Sequence, residues 1–138
     1  LTRTWDISLP PVLFIGLNPS TADADRDDAT SRVCIKYAQC WGFGTLYIGN
    51  LFALRSRDPR ALGIATDPIG PDNDSQLNQL QNMAQLTVCA WGNPGGFLGR
   101  DGQVLATLVN PHCLVKLKSG RPGHPLFKSL KLKPIPLT

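Results

Sequence analysis

An apolar run that halts at a polar corner, Val12-Leu13-Phe14-Ile15-Gly16-Leu17-Asn18-Pro19-Ser20, constrains the fold of this chain more than any other stretch. It is too short for a buried helix and reads as a strand covered on both faces. Pro19 has no N–H for a ladder and pushes Asn18 toward extended backbone, so the strand ends there with the Asn18 amide just past its carboxyl end. Open α/β sheets bind their ligands at that end. Asn-Pro-Ser is also an ordinary turn sequence, and taken alone the corner reads either way. What adds weight is recurrence: apolar runs also end at Asn50, at Trp91-Gly92 and in the loop leading to His124.

Read in order, Leu1 to Pro11 is an edge strand or extended lead-in, because Pro10-Pro11 suits no central strand. The polar segment after the first strand carries Asp23, Asp25, Asp27 and Asp28. An EF-hand would need Gly and Glu where Asp28 and Cys34 stand, so Asp27, Asp28 and Thr30 read instead as capping and charge-complementing the start of the next helix. That helix spans about Thr30 to Trp41, with Val33, Tyr37, Ala38 and Trp41 on its apolar face. Leu46 to Leu51 is the second strand. Asp58-Pro59 then reads as a cap and first helical residue, and Asp74 to Gln85 as a further helix. Leu86 to Trp91 is the third strand, broken by Gly92-Asn93-Pro94-Gly95-Gly96, which matches neither a P-loop nor a dinucleotide fingerprint. A short helix from about Asp101 to Leu108 leads to a fourth strand, Cys113 to Leu117. Leu126 to Thr138 closes as a short helix or extended tail.

This alternation predicts an α/β chain: a three-layer α/β/α sandwich around a four-stranded, mostly parallel sheet, formed as one domain over residues 1–138. All carboxyl ends of such a sheet share one edge, so Asn18, Asn50, Trp91 and His124 are expected to meet there.

Composition narrows the chemistry. All ten acidic residues are Asp, so any mechanism that needs a Glu is excluded, among them the His-Glu zinc proteases and the zinc deaminases. Cys34, Cys40, Cys89 and Cys113 lack metal-ligand spacing and read as buried free thiols; no metal or cofactor is expected. The formal net charge is +4, and no acidic residue follows Asp101 while Lys116, Lys118, Arg121, Lys128, Lys131 and Lys133 do. Such a segment attracts anions such as nucleic-acid phosphate, or is simply a solvated basic tail. No long apolar run suggests a membrane partner and no signal-peptide pattern opens the chain, so the expected compartment is the cytoplasm. The start at Leu1 suggests that a few residues precede it.

Four segments in order, Phe14-Ile15-Gly16-Leu17-Asn18-Pro19, Leu46-Tyr47-Ile48-Gly49-Asn50-Leu51, Val88-Cys89-Ala90-Trp91-Gly92 and Gly123-His124-Pro125-Leu126, resemble the uracil-DNA glycosylase superfamily. Over nearly its full length the chain also resembles a bacterial family of unassigned function with Leu-Asn-Pro-Ser-Thr-Ala-Asp and Asn-Leu-Phe-Ala segments. The first resemblance implies a glycosylase-like topology and a nucleobase or nucleotide site. In that site His124 would donate to the departing base, and Asn18 would position water. Asn50 would read the base edge, with Gly16, Pro19 and Trp91 around the base, and Arg55, Lys118 or Arg121 would hold phosphates. Asn18 stands where the fastest members carry a carboxylate, and Leu126-Phe127 replaces the wedge that props open a duplex.

Each group also has a plainer role: Asn50 as a buried amide satisfying a turn, His124 as the cap of the last loop, Trp91 and Trp41 as packing. Three functions therefore stand side by side. They are a glycosylase acting on a modified base, a non-catalytic nucleotide or nucleic-acid binding module, and a phosphate-handling nucleotide hydrolase, which the clustering of aspartates in one loop disfavours.

Overall fold

The apolar run forms strand β2, Pro11–Gly16, in which Val12, Leu13, Phe14 and Ile15 are all buried. Side chains alternate across a strand, so Leu13 and Ile15 enter one core while Val12 and Phe14 enter another on the opposite face. In the computed structural model, which describes residues 1–23 and 25–137, β2 is flanked on both sides by parallel neighbours. These are β3, Thr45–Asn50, and β4, Leu86–Cys89. Burial on both faces of β2 is what its unbroken apolar sequence demanded.

The sheet has six strands, not four, in the order β1-β3-β2-β4-β5-β6. Its inner members β3, β2, β4 and β5 (His112–Cys113) run parallel. The added strands are antiparallel edges: β1 (Thr2–Thr4) on β3 and β6 (Ile135–Pro136) on β5. The lead-in thus takes the edge-strand form, and the tail forms β6 where a short helix was one of the two readings. Elements of two or three residues carry no hydrophobic period, and only pairing with a neighbour defines them. The same reason shortens the expected fourth strand. β5 ends at Cys113, and Lys116 pairs with Pro122 in a hairpin instead.

Helix α1, Ala29–Cys40, starts at a capping box in which Asp28 accepts from the Ser31 N–H at 2.9 Å and the Ser31 hydroxyl accepts from the Asp28 N–H at 2.8 Å. It lays Cys34, Tyr37 and Ala38 on the Val12 and Phe14 face. Helices α2, Asn73–Met83, and α3, Arg100–Leu105, contribute Leu77 and Val104 to the other face. The sheet is therefore the middle of three layers. Asp58-Pro59 opens a single 3-10 turn, Pro59–Gly63, with Asp58 as its cap. Cys34, Cys89 and Cys113 are buried free thiols; Cys40, expected to be buried, is exposed at the end of α1.

Candidate functional site

The carboxyl ends of β2, β3 and β4 open onto a cavity of about 1210 Å³. Gly16, Asn18, Pro19, Asn50, Trp91 and His124 all line it, although the first and the last are 108 positions apart in the chain. Parallel register accounts for the meeting: Gly16 pairs with Asn50, and Ile15 with Cys89 two residues before Trp91. Gly16 is small for a reason visible at the cavity wall, since a Cβ there would stand 2.9 Å from Asn50 Oδ1.

The Asn50 side-chain amide makes no hydrogen bond to any described residue, whereas its main chain is firmly held. Asn73 Nδ2 donates to the carbonyls of Asn50 at 3.0 Å and Leu51 at 2.7 Å, and Arg100 Nε donates to the Leu51 carbonyl at 2.8 Å. Arg100 is only 2 % exposed and pairs with Asp74 at 2.6 Å. Sequence reasoning missed both Asn73 and Arg100. Asn73 lies just before the expected helix start at Asp74 and Arg100 just before the one at Asp101, and nothing local betrays a partner at the end of β3.

Asn18 is already at work. Its Nδ2 donates to the carbonyls of Leu54 at 2.8 Å and Ser56 at 3.0 Å, so the amide fastens the 54–56 segment to the end of β2 and keeps only Oδ1 as a free acceptor. Trp91 is 1 % exposed, belongs to the core, and leaves Nε1 without a partner among the described residues. Gly95 lies directly against the indole, where a Cβ would come within 2.1 Å of Cδ1.

His124 reaches the rim because the chain doubles back at Ser119-Gly120, with Gly120 at φ +86°, and the hairpin closes by Leu117 N–H to Arg121 and Gly123 N–H to Val115. The Leu126 N–H donates to His124 Nδ1 at 3.1 Å. That bond requires an acceptor at Nδ1 and so selects the neutral ring with its proton on Nε2. Partial burial lowers the His124 pKa, Lys128 lowers it further and Asp28 opposes them. Asp28, also on the cavity wall, is pushed up by burial, but hydrogen bonds from Ser31, Ser20 and Ala22 outweigh this and hold its carboxyl below the ordinary value.

A pH dependence follows from the direction at His124. The unfolded chain takes up a proton as pH falls through the ordinary histidine value near 6.5, while the folded chain still excludes it. Stability is therefore full above that value and is lost as pH falls toward the lowered folded value. Urea midpoints measured downward from about pH 7.5 are expected to fall across this window, and His124→Gln to flatten the fall. An unchanged profile in the variant would show that His124 is not held neutral.

Of the cationic candidates, Arg55 lines the cavity and Lys118 and Arg121 do not. Arg121 packs over Gly96 and pairs with Asp101 at 2.8 Å, which ties the hairpin to α3. Lys118 is exposed on the hairpin itself. Among the described residues no group of three or more His, Cys or Asp side chains comes together as a metal site, and no helix is long and apolar enough to cross a membrane.

No curated protein and no solved structure matches the chain. One protein family does, over residues 1–126, and it is described as a protein of unknown function, DUF1643. With the greater part of its length matched, the chain belongs to that family.

Proposed function

We propose that this protein recognises a nucleobase within a nucleotide or nucleic acid and acts on it as a glycosylase-like hydrolase of the N-glycosidic bond. The observation that carries this reading is the Asn50 amide: a donor and an acceptor, side by side, on a cavity wall, with no partner among the described residues. A half-buried amide of this kind calls for a ligand edge that supplies the complementary pair. The likeness of the four strand-end segments to uracil-DNA glycosylases supplies the base as that edge.

The remaining groups fit the chemistry of base loss. As the bond between sugar and base breaks, its electron pair leaves on the base, and Nε2–H of neutral His124 donates to the oxygen that gains charge. Water adds to the anomeric carbon, lined up by Asn18 Oδ1, and its proton passes to solvent because an amide is no base. Incubating the protein with uracil-containing single-stranded DNA, followed by alkali, is expected to cut the strand at the uracil positions. Intact strands across uracil and a panel of modified bases would overturn the hydrolase.

A second reading, a binding module without catalysis, is favoured by what Asn18 and Asp28 are doing. The Asn18 amide N–H donors are spent on Leu54 and Ser56, and the Asp28 carboxylate is spent on the cap of α1. That leaves Asn18 Oδ1 to orient a water without deprotonating it. Asn50-dependent binding with intact strands would select this reading.

A further inference from the structure

Three features make the segment at residues 54–57 unusual. Asn18 Nδ2 bonds the carbonyls of both Leu54 and Ser56, and the Ser56 N–H donates to the Pro19 carbonyl at 2.9 Å. These three bonds hold the main chain of the segment beside the corner at the end of β2. Leu54 packs on the core, and Arg55 and Arg57 are both exposed. Both line the cavity.

The charges on the wall do not cancel there. Arg3 pairs with Asp27 at 2.8 Å, Arg32 donates to the Asp27 carbonyl, and Asp28 is taken up by its cap. Arg55 donates through Nη1 to the carbonyls of Ser20 and Ala22 at 2.9 Å each, lies near enough to Asp23 to lower its pKa, and has Nε and Nη2 left over. Arg57 has no ion pair or hydrogen bond to any described residue. At about 1210 Å³ the cavity also exceeds the roughly 300–1,000 Å³ of ordinary small-ligand sites, so a lone base would leave much of it empty.

We infer that Arg55 and Arg57 form a phosphate-binding rim, aligned by Asn18, and that the ligand is a base carrying a phosphate and not a free base or nucleoside. This rests on the proposed base site for the identity of the other end of the ligand. Asn18 is then a positioning residue, which explains why its amide is spent on the main chain that carries the two guanidinium groups. Arg57 supplies an uncommitted fork for phosphate oxygens, and Arg55 offers its remaining edge.

The test compares the five deoxynucleosides (uracil included), their 5′-monophosphates, deoxyribose 5-phosphate and a short uracil-containing single strand, titrated calorimetrically. The parent is expected to prefer monophosphate over nucleoside, and Arg57→Ala to erase that preference by roughly fivefold or more, the effect of one charge-assisted contact in water. Arg57 bonds to none of the described residues, so the variant should fold as the parent does. If the phosphate belongs to a polynucleotide, the single strand binds more tightly than the monophosphate, and Arg57→Ala reduces the slope of log K against log salt by about 0.7. If it belongs to a free nucleotide, the single strand binds no better. A parent that does not distinguish nucleoside from monophosphate, or an Arg57→Ala protein that still does, overturns the rim. Deoxyribose 5-phosphate binding that is lost in Arg57→Ala, with Asn50→Ala indifferent to every base, keeps the rim and overturns the base site. Binding of none of these ligands overturns both.

Discussion

Replacing Phe14 by alanine is expected to destabilise the protein by about 3–5 kcal/mol, read as a lower urea midpoint with an unchanged slope. Phe14 is 1 % exposed at the centre of β2 and lies nearly parallel to Trp41, with ring centroids 5.9 Å apart and planes 9° apart. Tyr37 stands 6.5 Å from Phe14 and 5.4 Å from Trp41, so one side chain of the sheet holds Tyr37 of α1 and Trp41 at its C-terminal cap. Alanine removes both the buried area and those ring contacts, and a rigid sheet on one side and a capped helix on the other leave little room for collapse. Small domains are stable by only about 5–15 kcal/mol, so the loss takes a large share of the total. Phe127→Ala is the control. That ring is 100 % exposed, and its removal should shift stability by less than about 0.5 kcal/mol. A small effect at Phe14 would mean that α1 does not depend on β2 for its place.

Asn50→Ala is expected to do the reverse, sparing stability and abolishing recognition. The amide bonds to none of the described residues, so thermal unfolding should move by no more than about 0.5 kcal/mol. A base edge that loses both its donor and its acceptor should bind about ten- to a hundredfold more weakly, since each hydrogen bond contributes about 0.5–1.5 kcal/mol net. Titration followed by tryptophan fluorescence reads the loss, with Trp91 on the same cavity wall. Asn50→Asp, which keeps an acceptor and drops the donor, should change which base is preferred. If Asn50→Ala instead unfolds the protein, the amide is a structural turn-former; if it binds as the parent does, the base does not sit at β3.

What could be read from the chain depended on how far each signal reaches. β2, α1 and the corner after Gly16 were legible because an apolar run, a capping aspartate and a proline act within a few residues of one another. Order then did more than composition: alternating strands and helices placed the polar strand ends on one edge. The edge strands β1 and β6 were harder to see, because pairing alone creates them. Asn73 and Arg100 escaped notice for a related reason. Each acts on groups brought near by crossover connections, and no spacing in the chain encodes that.

By itself, then, the sequence determined the alternation of elements, the two-sided burial of β2 and the gathering of distant polar residues at a common edge, since each follows from local patterning and the handedness of parallel crossovers. Only the tertiary structure decided what those residues are free to do. It committed the Asn18 amide to the 54–56 main chain, drew Arg121 away to Asp101, left the Asn50 and Arg57 side chains without partners among the described residues and set the proton of His124 on Nε2. The reason is that a polar side chain's availability is set by whether another part of the fold has already met its hydrogen-bonding groups, and those partners arrive from segments its own neighbours in the chain do not specify.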